Sequence, residues 1–151
     1  MAQEDKETLK DLCNDLYDFI QQKNSLLLKD LSARLPYKVR LKIGEHSDYT
    51  LHGMVPNKKQ PIVVSLIENE IEYKIEVSVE IVKPYLRSMS SMTDEEAKEY
   101  LDMLNDIDKS GLMNQNFITK VVDWLDKNLF DHRGLIPKGL ALEAPEGMYK
   151  N

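Results

Sequence analysis

Between Glu7 and Lys23 the apolar residues Leu9, Leu12, Cys13, Leu16, Phe19 and Ile20 recur at steps of three and four, which places them on one stripe of a helix. Asn24 or Ser25 offers a break, because a short polar side chain accepts hydrogen bonds from the free N–H groups at a helix start. A second helix would then carry Leu27, Leu28, Leu31 and Leu35 and stop before Pro36, which disfavours helical geometry at the residue preceding it. Beyond Pro36 the period falls to two. Val39, Leu41 and Ile43 alternate with Arg40 and Lys42, as in a half-buried strand.

Residues 44–48 read as a turn, Tyr49 to Val55 as a second strand, and 55–61 as a loop bounded by prolines. Ile62 to Ile67 form a third strand, with Glu68-Asn69-Glu70 as a hairpin turn. The clearest alternation follows. Ile71, Tyr73, Ile75, Val77, Val79 and Ile81 lie on one face, expected to be the core face of the sheet, and Glu72, Lys74, Glu76, Ser78 and Glu80 face water. Eleven residues is long for a strand, so a bend is expected near Glu80 before Lys83-Pro84-Tyr85-Leu86 closes the set as an edge strand.

Thr93-Asp94-Glu95-Glu96 has the spacing of a capping box, in which the Thr93 hydroxyl and the Glu96 carboxylate each satisfy the other's backbone N–H. The helix it opens carries Ala97, Tyr100, Leu101, Leu104 and Ile107 and runs to a glycine stop at Gly111. Asn114 or Asn116 is placed to cap a last helix with Val121, Val122, Leu125 and Leu129 on its stripe. The final segment is irregular, but Leu135, Ile136, Leu140, Leu142, Met148 and Tyr149 make it too apolar for a free tail. The reading is α+β: N-terminal helices, a small antiparallel sheet or SH3-like barrel over about 38–89, and a C-terminal helical pair over about 93–130 with a packed irregular tail. Residues 1–25 would be an added amphipathic helix, and 26–151 one α+β domain.

The chain has 151 residues, 42% of them hydrophobic, enough for one such domain. Its net charge of −6 is uneven. The segment 93–131 holds ten acidic and four basic side chains, whereas 36–60 holds five basic and two acidic. Lys38, Arg40 and Lys42 on one strand, with Lys58 and Lys59 on the next loop, are therefore the candidate nucleic-acid contact. The blander role for the same residues is a solvated strand face that discourages edge-to-edge pairing. No apolar run is long enough to span a membrane and the first ten residues are too charged for a signal peptide, so a soluble cytoplasmic protein is expected.

Catalytic chemistry has little to build on. His46, His52 and His132 fall in a turn, a strand and a loop without metal-ligand spacing, and the six glycines make no phosphate-binding loop. Cys13, the single cysteine, sits in an apolar stripe and is expected to pack in the core. Asp131-His132-Arg133 pairs a carboxylate with an imidazole, but no nucleophile lies nearby in sequence; a capping role at the preceding helix end is expected. Neither a cofactor nor a metal is expected.

Three stretches carry a resemblance: 26–37 (LLLKDLSARLPY), 82–93 (VKPYLRSMSSMT) and 123–144 (DWLDKNLFDHRGLIPKGLALEA). Together they resemble a family of uncharacterised small proteins of Bacteroidales phages, crAss-like phages among them, and mobile elements, over roughly residues 26–146. The resemblance implies a bacterial host cell as the setting but transfers no activity, cofactor or catalytic residue, and the family pattern starts near 26, without the helix at 7–23. The expected function is a non-enzymatic phage or mobile-element accessory protein that binds a host or phage protein. Tyr85, Arg87, Asp131, His132, Arg133 and Leu135 are the candidate contact, since tyrosine and arginine anchor interfaces; the blander role is that Tyr85 packs the barrel and Arg87 pairs with an acidic helix. A nucleic-acid-binding regulator is the alternative, and a small hydrolase or inhibitor of a host system the third choice. Leu9, Leu12, Leu16, Phe19 and Ile20 are expected to mediate self-association, because an isolated helix of that length is marginal and its stripe needs a cover.

Overall fold

A computed structural model describes residues 2–56, 58–109 and 115–149, without the side chains of 107–109 and 115–116. Helix α1 runs unbroken from Gln3 to Arg34. The break expected at Asn24-Ser25 does not occur, because both lie inside a helix whose neighbours supply enough turns to carry them. Packing changes there instead. Residues 2–22 are exposed, and the first buried side chain is Leu27, followed by Asp30, Leu31 and Arg34. Leu35–Tyr37 adds a 3-10 turn, and Lys38, in the left-handed region at φ 55°, swings the chain into the sheet.

Six strands follow: β1 (Arg40–Ile43), β2 (His46–Met54), β3 (Ile62–Glu68), β4 (Ile71–Val77), β5 (Val82–Leu86) and β6 (Leu142–Glu143). Their order is β4-β3-β2-β1-β5-β6, an open sheet rather than a closed barrel. All neighbours are antiparallel except β5 and β6, where the tail returns to lie parallel along Tyr85 and Leu86. β5 is thus an interior strand, not the expected edge. The β3–β4 hairpin turns at Asn69 and Glu70, both at positive φ, the geometry that matches a two-residue turn to the twist of its strands.

Register defines one core face. Leu41 lies opposite Tyr49 and Pro84, Leu51 opposite Val64, and Val64 opposite Ile75. Leu27 and Leu31 of α1, Leu129, Leu135 and Ala141 cover this face over β1, β2 and the near end of β3. The cover does not reach β4. Ile71, Tyr73 and Ile75 are 55%, 46% and 42% exposed, and Ile81, in a 3-10 turn at Val79–Ile81, is exposed as well. Only Val77 and Val79 of the alternating row enter the core, which corrects the expectation that the whole row is buried. The alternation is a property of the strand; burial needs a partner layer, and the helix crosses the other end of the sheet.

The helices α2 (Asp94–Lys109) and α3 (Gln115–Lys127) form a second, smaller core with Phe130. Tyr100 stacks on Trp124 with ring centroids 5.9 Å apart, and Trp124 on Phe130 at 5.7 Å. The capping box is present: the Glu96 N–H donates to Thr93 Oγ1 at 3.1 Å, and the Thr93 N–H to Glu96 Oε1 at 3.0 Å. Gly111 and Asn114 lie outside the described residues, as does the side chain of Asn116.

Candidate functional site

The segment after α3 is where distant parts of the chain meet. Leu129, at φ 62°, ends the helical run, and the backbone of 129–131 then bonds β5: the Arg87 N–H donates to Leu129 O and the Asp131 N–H to Arg87 O, both at 2.8 Å. Arg87 continues the join through its side chain. Its guanidinium lies 4.2 Å over the Phe130 ring and donates to both carboxylate oxygens of Glu96 at 2.6 and 2.8 Å. Those bonds, aided by Thr93, hold the Glu96 carboxyl down to about 2 against the opposing pull of partial burial. Tyr85 is buried, its hydroxyl 2.7 Å from Ser47 Oγ.

Asp131 caps the following turn, accepting from the N–H groups of Leu135 and Ile136 at 2.8 and 2.9 Å. Leu135 itself is wholly buried. His132 and Arg133 turn back onto Asp126 of α3, with His132 Nε2 at 2.8 Å and Arg133 Nη1 at 2.9 Å from Oδ1. Arg133 also donates to Asp30 of α1 at 2.7 Å, and Asp30 accepts from Arg34 Nε at 2.8 Å. Arg34, 0% exposed, completes the cluster by donating to the Phe130 carbonyl at 2.6 Å, while its Nη1 is buried with no hydrogen-bond partner among the described residues. Burial opposes the charge on Asp126, but hydrogen bonds from Arg133 and His132 and the charges of Arg133 and Arg34 outweigh it and keep this carboxyl below its usual range. Arg133 is likewise discouraged by burial and more than compensated by Asp126 and Asp30.

The six residues Tyr85, Arg87, Asp131, His132, Arg133 and Leu135 therefore come together, but around an internal clamp. Their polar atoms are engaged within the fold: Tyr85 with Ser47 of β2, Arg87 with Glu96 of α2, Asp131 with the turn at Leu135 and Ile136, His132 with Asp126 of α3, and Arg133 with Asp30 and Asp126. Asp30, Arg34 and Asp126 belong to the same clamp and were not foreseen from sequence. The signal available was an acid–base pair one helical turn apart, Asp30 and Arg34, on the apolar side of α1.

Beside the clamp, a cleft of about 560 Å³ opens between Arg87, Thr93 and Glu96 on one wall and Glu143, Glu146 and Tyr149 of the tail on the other. Tyr149 anchors the tail by donating to Tyr85 O at 2.7 Å and accepting from the Arg40 N–H at 2.9 Å. Burial pushes its hydroxyl up to about 12.

Among the candidate nucleic-acid residues, Arg40 and Lys42 share the outer sheet face, Lys38 precedes it, and Lys58 and Lys59 are exposed on their loop. Lys83 lies opposite Lys42, and Arg40, Thr50, Ser65 and Lys74 form a row across four strands. Acids interrupt this face: Asp48 lies 3.7 Å from Arg40, and Glu76 3.5 Å from Lys58. His46 and His52 are exposed on β2, apart from His132. Among the described residues no group of three or more His, Cys, Asp or Glu is placed to hold a metal ion.

Leu9, Leu12, Leu16, Phe19 and Ile20 are all exposed, Leu12 and Leu16 at 59%. Cys13 is exposed with them, which corrects its expected place in the core: the stripe lies on the part of α1 that runs past the domain. Among the described residues no helix is long and apolar enough to cross a membrane. Compared with protein-family models, with curated proteins and with solved structures, the chain matches none of them.

Proposed function

We propose that this chain is a non-enzymatic binding module, a phage or mobile-element accessory protein acting in the bacterial cytoplasm, and that it docks on another protein by adding a strand of that partner to the free edge of β4. What carries the reading is β4 itself. Among the described residues it ends the sheet, with no strand paired to its outer side, and every residue from Ile71 to Glu76 is exposed. Edge strands are commonly blunted by proline, a bulge, a covering loop or charged side chains; β4 carries charges in Glu72, Lys74 and Glu76, all on one face. The opposite face of the hairpin presents Ile71, Tyr73 and Ile75 in a row continuous with the core face, with Ile67 exposed on the other side. A partner strand would gain main-chain hydrogen bonds from the edge and specificity from alternate side chains on this row. The edge replaces the Tyr85–Leu135 cluster as the contact, because the side chains of that cluster are engaged within the fold.

The test is affinity capture from phage-infected host cells with the unaltered protein and with Tyr73→Asp/Ile75→Asp. A partner retained by the first and lost with the second, both baits melting alike, supports the reading. A partner retained equally by both moves the contact elsewhere.

A nucleic-acid reading has one observation in its favour, the alignment of Lys74 and Lys83 with Arg40 and Lys42 on the outer face. Phosphate binding weakens steeply with salt. If the protein retains neither single- nor double-stranded nucleic acid at low salt, this reading fails; retention that reversing Lys38, Arg40, Lys42, Lys58 and Lys59 abolishes supports it.

A further inference from the structure

From Gln3 to Lys23, α1 is an arm about 30 Å long, exposed through Gln22, whose base at Phe19, Gln22 and Lys23 borders Pro137 and Lys138 of the tail. A helix of this length holds together poorly alone in water, and an exposed leucine stripe adds the cost of hydrating it. We propose that the arm pairs antiparallel with the arm of a second copy of this chain. The proposal is independent of the edge-strand reading, since it uses a different surface.

The spacing along the arm supplies the first argument. Leu9, Leu12, Leu16 and Phe19 follow the alternating three-and-four step of a two-helix seam, and the same step reaches Asp5 on one side and Lys23 on the other. Charge selects the orientation. In an antiparallel pair whose centre of symmetry lies near Asn14, Leu12 meets the partner's Leu16, Leu9 meets the partner's Phe19, and Asp5 meets the partner's Lys23 at each end. One register satisfies all three layers and closes the apolar centre with two opposite-charge pairs. A parallel pair would stack Asp5 on Asp5 and Lys23 on Lys23. Asp15 approaches its own copy, but at the solvent edge of the seam, where salt screens the repulsion.

Area and clearance agree. With Cys13 and Ile20 flanking the seam, two arms bury on the order of 1,200 Å² in all, the lower end of the range of stable specific complexes. The antiparallel register sends the two domains to opposite ends of the paired arms, where Pro137 and Lys138 border the seam only beside Phe19 and Lys23. A different protein would need a stripe of matching length and charge order; a second copy supplies it.

Sedimentation of the full chain up to about 100 µM is expected to show a reversible dimer, and Leu12→Asp/Leu16→Asp a monomer whose domain still melts cooperatively. Asp5→Lys should weaken the dimer at least tenfold more than Glu4→Lys, which carries the same helix-end cost off the seam, and adding Lys23→Asp should restore it. Cys13 flanks the symmetry axis, so a short bismaleimide should link two chains through it. A full-length monomer at the highest concentration, a trimer or larger species, a double charge swap weaker than the single one, or a dimer that Cys13 does not cross-link would overturn the proposal.

Discussion

Arg87 and Glu96 meet through two parallel hydrogen bonds, and this pair joins the end of the interior strand β5 to the first turn of α2 over the face of the Phe130 ring. The same carboxylate closes the capping box with Thr93. Glu96 thus anchors the helix and starts it.

That double duty gives a pH signature. The Glu96 carboxyl is held down to about 2, below its ordinary value of 4.5, so its contribution is complete above the unfolded-state value and is lost as pH falls from about 4.5 through about 2. Glu96→Gln should cost roughly 1–3 kcal/mol near neutrality, the range for hydrogen bonds to charged groups. Its stability curve should also be flatter than that of the unaltered protein over that acid range. Denaturant titrations at a series of pH values check both; parallel curves would show that the pair contributes nothing through its charge.

The buried clamp should be far less forgiving. Asp30 accepts from both Arg34 and Arg133, so Asp30→Leu leaves the buried Arg34 with only the Phe130 carbonyl and the more distant Asp126, 3.9 Å away, and is expected to cost about 3–5 kcal/mol. Asp30→Leu/Arg34→Met removes the stranded charge along with its partner and should recover much of that loss. If the double variant is no more stable than the single, the cost lies in packing rather than in the uncompensated cation.

Exposure reverses what alternation alone implies for β4. Ile75→Asp should leave the melting temperature nearly unchanged, because its side chain already meets water on an edge strand. Val64→Asp, at the position opposite it in register but fully buried, should unfold the domain, since an unpaired carboxylate there costs several kcal/mol. Thermal melts of the two variants decide it, and equal losses would mean that the hairpin face is covered after all.

The contrast between these neighbours shows what the sequence makes legible. Features held in a few consecutive residues were readable: the Thr93–Glu96 box, the Asn69-Glu70 turn and the strand alternation all rest on local chemistry. Coverage was not. Ile71 and Val77 belong to one alternating row, and what separates exposed from buried is the reach of the layer formed by α1 with Leu129, Leu135 and Ala141. The continuity of α1 through Asn24-Ser25 was missed because residues that favour caps only permit a break. The clamp was hidden by distance along the chain: Arg34 bonds the Phe130 carbonyl, and Arg133 reaches back to Asp30. Around 131–135 the side chains of Asp131, His132 and Arg133 bond within the fold, and residue type alone does not fix which way such side chains face.

Tyr149 offers the last test, at the opposite end of the pH scale. Its hydroxyl links the tail to two strands, donating to Tyr85 O and accepting from the Arg40 N–H. Burial raises its value from 10.0 to about 12, so the neutral form is the one the fold favours. Its contribution is complete below the unfolded value of about 10 and is lost as pH rises through about 12. Tyr149→Phe keeps the ring but leaves the Arg40 N–H and the Tyr85 carbonyl without their partner, which should cost about 1–3 kcal/mol at neutral pH. The variant should also lose less stability than the unaltered protein between pH 10 and pH 12. Absorbance titration of the tyrosines follows the ionisation, and denaturant unfolding over the same range follows the stability. An unchanged midpoint for Tyr149→Phe at neutral pH would mean that the tail's hold on the sheet comes from β6 and the burial of Leu135 and Ala141 alone.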